Sequence, residues 1–385
     1  MTTDNNLRNR ISAIDSLRGM IMLLMLVDHV RETIYLHKQV ADPMLVEQTD
    51  PALFFTRFSA HFCAPIFVFL AGLSAWLYAH PAHLNGGQRD ATGFLVKRGA
   101  FLILLEFTII NFAWSGHFPP NIWYLQVIWV IGLAMISLGL LHKLPLPVLF
   151  SIGLLIVAGH NSTSDIKLSP EHPAYTIWTV MFQRGFLLEP FNMIKISYPL
   201  LPWIGIILIG YCCGPLYQQK IQSKQRQTYL LTIGCGALAI LLLLRSFNIY
   251  GENQAWQQHQ DIVMTVMSYL NFQKYPPSLL FSLLTIGSGL ICLAWLERRQ
   301  SRFTEFWADI GAAPMFYYIV HLYLLLILQT ILVKVFGANH GARFGVEHVW
   351  QVWFYAALLV PVLYYPCRQF ARYKRQSKQA WIRYL

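Results

Sequence analysis

Apolar runs of roughly membrane-spanning length recur from one end of this sequence to the other, and no polar gap between them could hold a soluble domain. The expected segments are approximately 17–36, 53–79, 97–114, 121–141, 145–159, 198–217, 228–247, 276–296, 309–336 and 347–367. The fold class expected is therefore all-α, a polytopic integral membrane helical bundle of about ten transmembrane helices forming a single domain over 1–385. Only 12% of residues are charged, against about 25% in soluble domains. The net charge of +11 sits in short linkers and in a basic tail from about residue 368, which predicts lipid headgroups as partners and no nucleic acid. Placing both termini in the cytoplasm puts roughly 19 of the 29 Lys and Arg residues inside, so the topology expected is N-in and C-in. The first apolar run lacks a small-residue cleavage site and reads as a retained helix, giving a multi-pass membrane protein.

Within that first run, DSLRGMIMLLMLVDH, Arg18 and His29 return to within about 20° of the same helix face, with Met22 and Met25 between them. They stand roughly 16 Å apart along the axis. Charged groups in a spanning helix cost about 2.5–3.5 kcal/mol, so Asp28 and His29 should face protein or a water-filled cavity. The bland reading has Arg18 snorkelling to headgroups while Asp28 and His29 satisfy neighbouring helices. Other costly groups are Arg57, His61, Glu106, Gln126, Asp309 and His321. Helical rise brings His29, His61 and His321 to similar depth, in the half away from the cytoplasm. Each has a structural alternative: His61 bonding a carbonyl freed by Pro65, Glu106 pairing a basic residue, and His321 bonding a tyrosine.

A neutral imidazole can take a proton from a hydroxyl or amine attacking a carbonyl, and an arginine on the same stripe suits a phosphorylated donor. This predicts His29 as base and Arg18 as the group holding donor phosphates. Asp28, His61 and His321 would orient the base or the acceptor, along one continuous path. Consecutive helix residues point about 100° apart, so a carboxylate from another helix is the alternative orienting partner to Asp28. The connections 37–52, 160–197 and 248–275 lie outside, the second carrying a surface-lying or re-entrant stretch and the third, with Trp256, His259 and Asp261, able to hold a substrate. A proton-coupled transporter relaying through Asp28, His29, Glu106 and His321 is the rival reading, and a non-catalytic scaffold the third. Six cysteines without paired spacing indicate neither a metal nor a disulfide framework, and phosphate-loop, dinucleotide and serine-elbow motifs are absent.

The stretch AIDSLRGMIMLLMLVDHVRE resembles the opening of the heparan-α-glucosaminide N-acetyltransferase catalytic-domain family, in its bacterial branch, within the wider transmembrane acyltransferase superfamily with its Arg-x10-His signature. HFCAPIFVFLAGLSAWLY, RGAFLILLEFTIINFAW, NIWYLQVIWVIGLAM, YPLLPWIGIILIGY and LNFQKYPPSLLFSLLTIGSG extend the resemblance from about residue 11 to about residue 330. The resemblance implies an enzyme of a bacterial inner membrane moving an acyl group, acetyl in this family, from cytoplasmic acetyl-CoA or another acyl-CoA to a sugar hydroxyl or amine of an extracytoplasmic glycan or envelope acceptor. It puts His29 and Arg18 at the signature positions. The lysosomal relatives carry asparagine at the position of His29 and a histidine in the next loop, where the nearest here is His37; the base is thus left among His29, His37 and His61. A homodimer is left open.

Overall fold

The protein is described here from a computed structural model covering residues 2–81, 87–191, 193–298 and 301–384. Helix α1 (Thr2–Ile34) begins well before the expected start of the first span and forms the axis around which the bundle packs. Asp50 accepts the N–H groups of Ala52 and Leu53 and so caps α2 (Pro51–Ser59), which passes through a tight turn at Ala60–Phe62 into α3 (Cys63–Ala79). Next come α4 (Thr92–Leu105), a π-helical turn at Glu106–Ile110, and α5 (Asn111–Ser115). The fourth expected span opens instead as a strand, β1 (Trp123–Leu125), before α6 (Val127–Leu141) and α7 (Leu146–Gly159).

The long connection after α7 holds α8 (Tyr175–Met181), β2 (Gly185–Phe186) and β3 (Ile194–Ile196). β3 lies between the other two, parallel to β1 and antiparallel to β2. α8 is surface-lying, with Ile177 exposed. Helices α9 (Leu201–Cys212), α10 (Ser223–Ser246), α11 (Ile262–Leu270) and α12 (Leu279–Arg298) follow. The ninth expected segment is two helices, α13 (Arg302–Gly311) and α14 (Pro314–Phe336), because a proline ring fits a first helical turn and not an interior. The chain closes with α15 (Val349–Gln376).

The result is an all-α membrane-type bundle. Among the described residues, six helical stretches are long and apolar enough to cross a membrane: 51–79, 146–163, 223–246, 279–298, 314–336 and 349–376. One apolar core runs from Ala13 on α1 to Cys367 on α15. Lipid tails give helices no hydrophobic reason to associate, so close backbone packing must do it. At the crossing of α1 and α13 a Cβ on Gly19 would lie 2.0 Å from the carbonyl oxygen of Trp307, and one on Gly311 would lie 1.8 Å from that of Asp15. Only glycines allow that approach, and it fixes the height of the Arg18 end of α1.

Candidate active site

Two histidines meet at the middle of the bundle. His29 Nδ1 lies 2.6 Å from His321 Nε2 and the rings stack at an interplanar angle of 12°. His321 Nδ1 is 2.9 Å from the carbonyl oxygen of Tyr317. A carbonyl can only accept, so His321 carries its proton on Nδ1 and offers the lone pair of Nε2. His29 must then donate from Nδ1, which leaves its own Nε2 as an unprotonated lone pair. Trp114 and Tyr318 stand edge-on to the His29 ring, with centroids 5.2 Å and 6.0 Å away.

His29 lines a polar cavity of about 520 Å³. Its wall combines α1 and α2 with the loop connections: Arg57, Tyr124, Gln126, Arg184, Lys195, Tyr198 and Tyr275 all reach it. β3 carries Lys195 and Arg184 immediately precedes β2, so the small sheet brings two cationic side chains to the cavity. Tyr275 is brought to the cavity when Asp42 accepts its backbone N–H and that of Lys274.

Arg18 lines a different cavity, of about 340 Å³, together with Met25, Arg98, Lys374 and a largely apolar wall. Its guanidinium donates to Asp15 at 2.8 Å and to the hydroxyl of Ser74. Of the stripe expected on α1, Arg18 and Met25 line one cavity and His29 another, while Met22 is buried in the core and lines neither, so the single column facing one shared cavity does not form. The expected single open path is not found: the two cavities share no lining residue, and Tyr318 lines the Arg18 chamber while its ring lies edge-on to His29.

Other expected site residues sit differently. Asp28 orients neither imidazole; its carboxylate accepts from Arg31 at 3.0 Å and Arg57 at 3.3 Å, and lies 4.0 Å from Lys274. Three cations on one carboxylate explain why a charge next to His29 turns away from it. His61 does not join the histidine pair either. The turn at Ala60–Phe62 rotates it behind Arg57, where it packs on Phe58 and Phe281. Glu106 serves no basic residue: its two oxygens accept the N–H groups of Gln126 and Trp129, both at 3.1 Å, and cap α6. A relay through Asp28 and Glu106 thus finds both carboxylates committed. In the third connection, Asp261 caps α11 and Trp256 packs on Tyr269, while Tyr275 reaches the cavity. Arg184, Lys195 and Ser197 carried no sequence signal beyond their presence in a long loop.

The family described as heparan-alpha-glucosaminide N-acetyltransferase, catalytic, matches residues 10–246. The chain belongs to this family. None of the curated proteins compared with it matches. Heparan-α-glucosaminide N-acetyltransferase membership implies transferase chemistry, and the apolar helices make the protein a multi-pass membrane acetyltransferase in outline. The matched stretch holds Arg18, His29, Arg57, Arg184 and Lys195, and ends before Tyr275 and His321.

Proposed function

We propose that the protein transfers an acetyl group from cytoplasmic acetyl-CoA to a sugar hydroxyl or amine of an envelope glycan on the far side of a bacterial plasma membrane, acting as one membrane domain. The observation that carries this reading is the arrangement of two chambers of opposite character on either side of the His29 and Tyr318 rings. The Arg18 chamber takes the donor. Arg18, Arg98 and Lys374 supply the positive charge that coenzyme phosphates need, and the apolar wall accepts the pantetheine arm. The His29 chamber takes the acceptor.

Transfer requires the thioester to reach His29 past Tyr318, so a change of the Tyr318 rotamer opens the wall. His29 Nε2 then removes the proton of the acceptor hydroxyl or amine as its lone pair attacks the thioester carbonyl. The C–O or C–N bond forms, the C–S bond breaks, and the imidazolium returns the proton to the departing thiolate. His321 acts as a positioning residue, fixing the His29 tautomer and sharing the charge of the imidazolium. The O–H of Tyr318, toward whose oxygen the N–H of Trp114 is directed, has no protein acceptor and is placed to donate to the developing oxyanion.

The test is binding followed by transfer. Acetyl-CoA should raise the thermal midpoint of the detergent-solubilised protein, Arg18→Ala and Lys374→Ala should each weaken that rise, and His29→Ala should keep it while losing transfer. Absence of any rise at saturating acetyl-CoA, with transfer also absent, sinks the acyltransferase reading.

A further inference from the structure

Away from both chambers, the turn that follows α1 meets the connection between α14 and α15. There His37 and His340 stack face to face, with centroids 3.6 Å apart and an interplanar angle of 4°. His340 Nε2 is 3.2 Å from a carboxylate oxygen of Glu347. One ligating atom from each of His37, His340 and Glu347 lies within 4.8 Å of the other two. His37 Nε2 is buried and has no hydrogen-bond partner. Two imidazoles with one ring nitrogen unanswered, beside a carboxylate, make a donor set for a cation once the rings turn out of their stack so that their nitrogens converge.

We infer that His37, His340 and Glu347 form a zinc site on the face of the bundle that carries the His29 chamber. Zinc binds imidazole nitrogen and carboxylate oxygen at about 2.0–2.2 Å, which places tetrahedral neighbours about 3.3 Å apart. The 3.2 Å separation of His340 and Glu347 already matches that edge. Three protein ligands leave a fourth position for water, and the exposed Glu347 leaves an entry path from solvent.

The backbone that carries the donors is held in place before any metal arrives, and binding would turn the two rings to bring their nitrogens together. Asn339 closes the loop by bonding both the N–H and the carbonyl of Gly345, and the backbones of His340 and Arg343 pair across a tight turn. Val346 then donates to the last turn of α1 through the carbonyl of Ile34. Gly345 packs beside the stack, against both rings: a Cβ there would be 2.5 Å from His340 Cδ2 and 2.9 Å from His37 Nδ1. The same loop carries Arg343 into the wall of the His29 chamber. Zinc at this point would staple that loop to the end of α1 and fix Arg343 over the chamber. No metal signal is legible in the sequence because the two histidines are about 300 residues apart, and ligand spacing can be read only within one element.

The test is metal content and affinity, which do not depend on acyl transfer. Full-length protein purified through a tag without histidine, stripped with chelator and titrated with Zn²⁺ alone, should take up one zinc per chain by mass spectrometry of the metal. Co²⁺ in its place should give the visible absorption of a four-coordinate site. His340→Ala should abolish tight uptake. Glu347→Gln, a change at an exposed side chain that leaves the loop bonds intact, should weaken the zinc Kd at least tenfold. Failure of the wild-type protein to take up zinc, or wild-type affinity in either variant, overturns the assignment.

Discussion

His29 can serve as a base only while its Nδ1 proton is given to His321, because that bond decides which nitrogen is left bare. His29→Ala should therefore lower turnover by about 10²–10⁴-fold, the range general bases contribute, without loss of acetyl-CoA binding. His321→Ala should cost less and shift the acidic limb of the kcat/KM profile against pH, a change that a merely structural residue would not produce. Asp28→Asn should act on stability instead. It strips the shared carboxylate from Arg31 and Arg57, and breaking buried pairs of this kind costs about 3–5 kcal/mol. Urea or thermal unfolding in detergent checks it. Arg18, His29 and His321 were legible in the sequence because charged and titratable groups inside apolar runs are expensive and few. Their partners were less so. Asp28 stands next to His29 in the chain, yet three cations from α1, α2 and a distant loop decide where it points, and no local pattern encodes that.

Among the elements, the crossing of α1 and α13 depends on having no side chain at all. Gly311→Ala would drive a methyl into the carbonyl of Asp15, and overpacking of this sort costs about 1–3 kcal/mol or forces the helices apart. The thermal midpoint should fall and acetyl-CoA affinity with it, since Arg18 lies one turn from the contact. The loop between α10 and α12 is stitched from inside. Arg245 donates to the carbonyls of Gln254, Ser268, Tyr269 and Asn271, while Glu252 accepts from Ser278 and the N–H of Gln273. Burial pushes the Glu252 carboxyl from 4.5 up to about 7. The folded protein thus holds this proton more tightly than the unfolded chain, so the contribution is complete below about pH 4.5 and is lost as pH rises through about 7. The thermal midpoint should decline across that window, and Glu252→Gln should flatten the decline. The apolar runs made the helices legible, but not the π turn at Glu106 or the strand before α6. Both follow from Glu106 folding back to cap α6, a contact across 20 residues.

For the molecule as a whole, the two chambers replace the open passage that one stripe on α1 suggests. A continuous channel would leak protons and small solutes across the bilayer, whereas under the proposed function the Tyr318 ring, which lines the Arg18 chamber and stands edge-on to His29, would keep donor and acceptor apart until chemistry joins them. This predicts sidedness. In a protein with the exposed Cys235 replaced, Ala71→Cys in the Arg18 chamber should react with a membrane-impermeant maleimide only from the side of the N-terminus. Gln39→Cys at the His29 chamber should react only from the opposite side. Tyr318→Ala removes the ring between them, so each cysteine should become reachable from both sides, and acetyl-CoA hydrolysis without an acceptor should rise as water enters. Labelling of both cysteines from one side in the unaltered wall would mean that the chambers open to the same compartment, and transfer across the membrane would then be ruled out.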